Sequence, residues 1–378
     1  MMYLLSMIGT HTLYPVSVLF LSLLCGLPDR GAAQEPPRLK PVAMMGESRA
    51  GHTATLLSDG RVLIAGGFKK TPNGIDQIYF RSAEIFDPRT GKFSPTGDMT
   101  YTRAGQTATL LMNGLVLVAT GFGEMGTLSS AELFDPASQT FTPIGNMAAR
   151  RGGCTATLLL DGRVLFAGGG DREATASAEL YDPLTKRFLP TGSMTMPRNG
   201  HTATRLPGGM VLIAGGSARR EAVLPGAEIY DPAAGVFMQT GGMAAPRYKH
   251  AAVAMNDGDV LLFGGSDGTD WRGQLATVER YRIVSGNFIR TSDLRRARFK
   301  LPEAVVGFPE GDFLIAGGNA AIELYAPDTS RTVCTLDNSY YFATATGLPG
   351  GSVLIVGGYD DKLRSTNKAW IWKRLREE

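Results

Sequence analysis

The sequence predicts an all-β chain in which one four-stranded antiparallel sheet is written seven times and the copies close into a ring, a β-propeller. Three observations predict this. The stretch "RAGHTATLLSDGRVLIAGG" starting at Arg49 returns as "RAGQTATLLMNGLVLVATG" at Arg103 and "RGGCTATLLLDGRVLFAGG" at Arg151. Glycine supplies 48 of 378 residues against only 19% charged ones, which suits short strands and tight turns and does not suit long helices. Finally, the last copy lacks a strand that the beginning of the chain supplies.

The elements follow in order. Residues 13–27, "LYPVSVLFLSLLCGL", form an apolar run shorter than the ~20 residues of a membrane-spanning helix. Small residues at Gly31 and Ala33 suit cleavage before Gln34. Residues 1–33 are therefore expected to be a secretory signal, which places the mature protein outside the cytoplasm, secreted or periplasmic, without membrane insertion. No Lys or Arg precedes the apolar run, so an uncleaved anchor is the alternative. Leu24 stands where lipidation of Cys25 would want a smaller residue. Residues 34–378 are expected to be one propeller and a monomer.

Paired glycines punctuate the repeats at Gly66-Gly67, Gly168-Gly169, Gly215-Gly216, Gly264-Gly265, Gly317-Gly318 and Gly357-Gly358, with Thr120-Gly121 as the variant pair. The pairs lie roughly fifty residues apart, the period of a repeat array. At one constant distance before each pair stand His52, Gln106, Cys154, His201, His250, Glu303 and Ala343. Such constancy means strand, tight turn, strand. Asp59-Gly60, Asn113-Gly114 and Asp161-Gly162 supply turn chemistry that tolerates positive φ. A loop of variable length comes next, followed by a third strand, "AEIFDP" from Ala83 and its echoes "AELFDP", "AELYDP" and "AEIYDP". A fourth strand carries Phe93, Phe141, Phe188, Phe237 or Phe288. The blades are expected near 49–98, 103–147, 151–194, 198–243, 247–294, 300–339 and 340–376. "PRLKPVAMMGESRAGH" matches "GKFSPTGDMTYTRAGQ" in register, so residues 37–46 are expected to complete the seventh blade beside "AWIWK".

Taken together, the double glycines, the Asp-Gly hairpins, the Glu-x-Phe/Tyr-Asp-Pro strand and the fourth-strand aromatic resemble the kelch repeat. The version is most similar to the central propeller of the galactose-oxidase-like group. The resemblance spans residues 37–374. Local departures are Thr120 in place of Gly, Phe in place of the usual fourth-strand Trp, and an eroded sixth blade around "APDTSRTVCTL".

That resemblance raises a copper radical site, which needs two His, two Tyr and a Cys crosslinked to one Tyr, with a ligand from a further domain. His52, His201 and His250 share one repeat position, so symmetry spreads them around the ring. Tyr281 and Tyr325 belong to the third strand, where packing explains them. The sequence therefore implies no metal and no cofactor. Cys154 and Cys334 fall on an inner and an outer strand of distant blades, beyond the ~7 Å that a disulfide spans, and both are expected free. The net charge of +3 gives no nucleic-acid footprint.

Two polar patterns remain. Arg49, Arg103, Arg151, Arg198, Arg247 and Lys300 stand before the inner strands, where the resemblance implies a loop-rich face that binds acidic peptides in kelch adaptor proteins. Six third strands carry Glu84, Glu132, Glu179, Glu228, Glu279 and Glu323. The repeat with Tyr340 at the basic position also lacks the Glu, having Trp370, which points to pairing within a blade as the competing explanation. The long loops at residues 68–82 and 266–277 offer Tyr79, Trp271 and Arg272, residue types favoured at interfaces. The functional expectation is a binding module for a protein, acidic peptide or carbohydrate on the loop-rich face. The alternative is a small sugar-active enzyme resembling a sialic-acid mutarotase, with Glu303 as its carboxylate beside an arginine.

Overall fold

The structure is a computed structural model that describes residues 38–71, 76–219, 222–268, 273–327 and 329–374. Seven four-stranded antiparallel sheets form the blades of a propeller, and two small two-stranded hairpins extend the loops of the first two blades. Blade one shows the plan. Its inner strand Thr53–Leu56 pairs with Val62–Ala65, then Ala83–Asp87, then Lys92–Pro95. The second strand is buried at all four residues, as expected for a strand covered by neighbouring blades on both faces.

The third and fourth strands meet through an aromatic pair in register. Phe86 faces Phe93 with ring centroids 4.9 Å apart, and Tyr230 faces Phe237 at 4.7 Å. In blades one to four the Asp that closes the third strand caps the turn beyond it: Asp87 Oδ1 accepts from Arg89 N and Asp231 Oδ1 from Ala233 N. Asp favours turns through this side-chain-to-backbone bond.

The core lies between blades. Seven of the apolar clusters are made of two neighbours, for example Leu63, Ala65 and Ile85 of blade one against Val116, Val118 and Phe134 of blade two. Blade seven packs on blade one in the same way, through Leu354 and Val356 against Val62 and Ile64. Burying each such Val, Leu, Ile or Phe side chain contributes about 1.5–3 kcal/mol. Tyrosine hydroxyls add polar stitches between blades, Tyr230 to Thr191 at 2.8 Å and Tyr281 to Thr240 at 3.0 Å.

The strand Leu39–Pro41 lies antiparallel to Ala369–Lys373, with Leu39 opposite Trp372 and Pro41 opposite Trp370. Beyond it, Met45 N donates to Asn367 O, and the Met45 side chain is buried. Both ends of the described chain thus contribute strands to one sheet.

Candidate functional site

The repeated arginines point into the blades. Arg103 is fully buried, donating from Nη2 to Glu132 at 2.9 Å and from Nη1 to Thr120 O and Ser130 O at 3.0 and 3.2 Å. Arg49–Glu84, Arg151–Glu179, Arg198–Glu228 and Arg247–Glu279 repeat the arrangement at 2.7 to 3.0 Å. Each Glu also accepts from backbone N–H groups of the segment entering its blade, as Glu279 does from Ala244 and Ala245. The arginine therefore ties together the double-glycine turn, the third strand and the incoming chain. For these five arginines the pairing alternative is what the structure shows, and every guanidinium of the set is buried. Blade seven, without the ion pair, stacks Tyr340 on Trp370 at 5.5 Å.

Blade six requires a correction. Its buried pair is Arg298–Glu323 at 2.8 Å, with Arg298 also donating to Gly317 O and Ala321 O. Lys300 does not hold the arginine position. It donates to Tyr359 OH at 2.8 Å and lies over the rings of Phe299, Phe342 and Tyr359. The reason is an insertion. Arg298 reaches the carbonyl of a residue 19 positions on, where the other arginines span 17. Leu301, not Glu303, fills the histidine's place: a side chain at Gly264 would meet Leu301, just as one at Gly215 would meet His250.

The ring of histidines links blades. His52 Nε2 is 3.1 Å from Thr344 Oγ1, His201 Nε2 3.1 Å from Thr155, and His250 Nε2 3.0 Å from Thr202. Each threonine belongs to the blade before. Burial, with the adjacent arginine second, pushes His52 and His201 down to about 3 and His250 well below its ordinary value. All three are neutral. Among the described residues no three His, Cys, Asp or Glu side chains are grouped to hold a metal. The copper set does not fit this ring. Its histidines hydrogen-bond to threonines in different blades, Tyr281 bonds Thr240, and Tyr325 bonds Thr291. Cys154 and Cys334 are free thiols in different blades. Burial pushes both upward, Cys334 to about 11.

The remaining opening is axial. A cavity of about 470 Å³ runs in from the loop-rich face and is lined by all seven blades. Its mouth is a ring of backbone: Gly105 N donates to Gly51 O, Gly200 N to Gly153 O, Lys249 N to Gly200 O and Gly51 N to Phe342 O, at 2.8 to 3.2 Å. The residues of this ring share a left-handed backbone, with φ between 51° and 67° at Gly51, Gly105, Gly153, Gly200, Lys249, Lys300 and Phe342. Glycine meets that requirement at no steric cost, so blades one to four leave the mouth bare. Blades five to seven depart from it and place Lys249, Lys300 and Phe342 there. Among these, Lys249 and Phe342 line the cavity. The repeat carried the signal, since "RYKH" at Arg247 puts a lysine where "RAGH" and "RNGH" have glycine.

Deeper in, Ala108, Ala156, Ala203 and Ala252 of the inner strands form the wall. The inserted Pro302-Glu303 lines this space, and Glu303 Oε2 accepts from Ala54 N of blade one at 3.3 Å. The Glu303 side chain is open to channel water, yet protein surrounds that water. The enclosure drives the carboxyl up to about 7, offset in part by the Ala54 N–H. Glu303 forms no ion pair among the described residues, so the arginine partner required by the sugar-active alternative is not found beside it. Tyr79 is half-buried in the blade-one hairpin, opposite Phe68. Trp271 and Arg272 lie outside the described residues.

The Kelch motif family model matches residues 49–100, and no curated protein matches the chain. Among solved structures, a fungal alcohol oxidase with catalytic diversity among the AA5 family, in complex with copper, is similar with a TM-score of 0.71. That similarity covers 89% of this chain and 76% of the oxidase at 16% identity, and it shows the fold. The protein is a seven-bladed propeller that carries the kelch motif, a fold commonly used for interaction.

Proposed function

We propose that the protein is an exported binding module whose partner, a protein segment or a carbohydrate, docks on the loop-rich face and places one group in the axial cavity. The observation that carries this reading is the cavity itself: about 470 Å³, walled by small side chains and furnished with Glu303, Lys249, Phe122 and Phe342. Pockets that bind small groups are concave, largely apolar and supplied with a few convergent polar atoms. With the arginine ring turned inward, the acidic-peptide preference loses its support. Export rests on the apolar run and small-residue cleavage site of residues 13–33. Narrowing the cavity tests the proposal. Ligands found on glycan and peptide arrays should bind about tenfold or more weakly to Ala156→Phe and Ala203→Phe, with the melting temperature little changed. Binding undiminished in both folded variants would place the ligand elsewhere.

A further inference from the structure

We propose that the group received by the axial cavity is an ammonium, with the Glu303 carboxylate as its counter-ion; this rests on the cavity being the binding site. The repeat itself isolates this carboxylate. Glu84, Glu132, Glu179, Glu228, Glu279 and Glu323 each hold an arginine in their own blade. Glu303 arises from the blade-six insertion instead, and its described polar contact is one long bond from a backbone N–H. A carboxylate that faces the channel with no cation bonded to it among the described residues is a ready counter-ion for a cation brought by the ligand.

The surroundings favour one positive charge. Wall residues Ala108, Ala156, Ala203 and Ala252 are small and apolar, so a charge pair among them is screened less than at the surface. Phe122 and Phe342 line the same space, and aromatic faces attract ammonium groups. The nearby histidines are neutral and add no competing charge. Lys249 and Arg172 also line the cavity, with Asp171 and Glu173 beside Arg172, so charges of both signs stand around it and Glu303 is the carboxylate on the blade-six insertion.

Three probes of equal length separate the chemistry: n-butylammonium, n-butanol and n-butyrate, followed by ligand-observed NMR at pH 8. The purified protein is compared with Glu303→Gln, Glu303→Asp, Ala156→Phe and Ala203→Phe, each checked by its melt. The expected result is that n-butylammonium binds most tightly. Its affinity should fall about tenfold or more in Glu303→Gln, recover in part in Glu303→Asp, and leave n-butanol binding unchanged in both. If the three probes bind alike, or Glu303→Gln leaves n-butylammonium unaffected, while the phenylalanine variants still displace n-butanol, the ammonium assignment is wrong and the cavity stands as the site. If no probe binds, or none responds to the phenylalanine variants, the cavity reading falls and the ammonium assignment with it.

Discussion

At the scale of single residues, the repeat spends its strongest polar groups on joining pieces of chain. Removing the guanidinium from a pair such as Arg247–Glu279 would leave a buried carboxylate uncompensated, a loss of about 3–5 kcal/mol. The histidines add a pH dependence whose sign is fixed by burial. Their folded-state values lie below the unfolded value near 6.5. Their neutral form therefore supports the fold fully above about pH 6.5, and that support is lost as the pH falls toward 3. Gln106 occupies the same position in blade two and bonds Ala65 O at 2.6 Å without titrating. The triple variant His52→Gln, His201→Gln, His250→Gln should consequently lose less stability than the parent between pH 6.5 and 4, measured by denaturant unfolding. Equal losses would assign the acid sensitivity to other groups. The Arg–Glu pairing was legible from the joint loss at Tyr340 and Trp370. The burial of the arginines was not, because loop position alone does not say which way a long side chain turns.

Among the elements, blade six shows where counting along a repeat fails. Counting back from the hairpin reaches Glu303, because the hairpin keeps its spacing, with Gly307 opposite Phe313 as Leu56 is opposite Val62. The two extra residues lie upstream, between Arg298 and the inner strand, and only packing shows that Leu301 has moved into the vacant site. The N-terminal strand is the other telling element. It gives blade seven its outer strand, and Met45 joins the core between blades seven and one. Deleting residues 34–47 should therefore lower the melting temperature sharply, since an edge is bared and core burial is lost. A calorimetric melt equal to that of the parent would mean that the strand contributes little to holding the ring.

In the molecule as a whole, the seven-fold plan makes most positions equivalent, and function falls where equivalence breaks. The hairpin turns repeat with little change. At the mouth of the axis, four bare glycines face Lys249, Lys300 and Phe342, and Glu303 enters from one side alone. The periodicity of the sequence revealed the blades, their strands and the loop-rich face. The mouth was harder to find, because it is assembled from one residue of each repeat and its shape depends on backbone bonds between blades. The most direct measurement is hydrogen exchange of the protein with and without an array-identified ligand. The account predicts protection in residues 105–108, 153–156, 200–203 and 300–303, with the hairpin turns at 58–60 and 161–162 unchanged. Protection confined to the hairpin turns would contradict it.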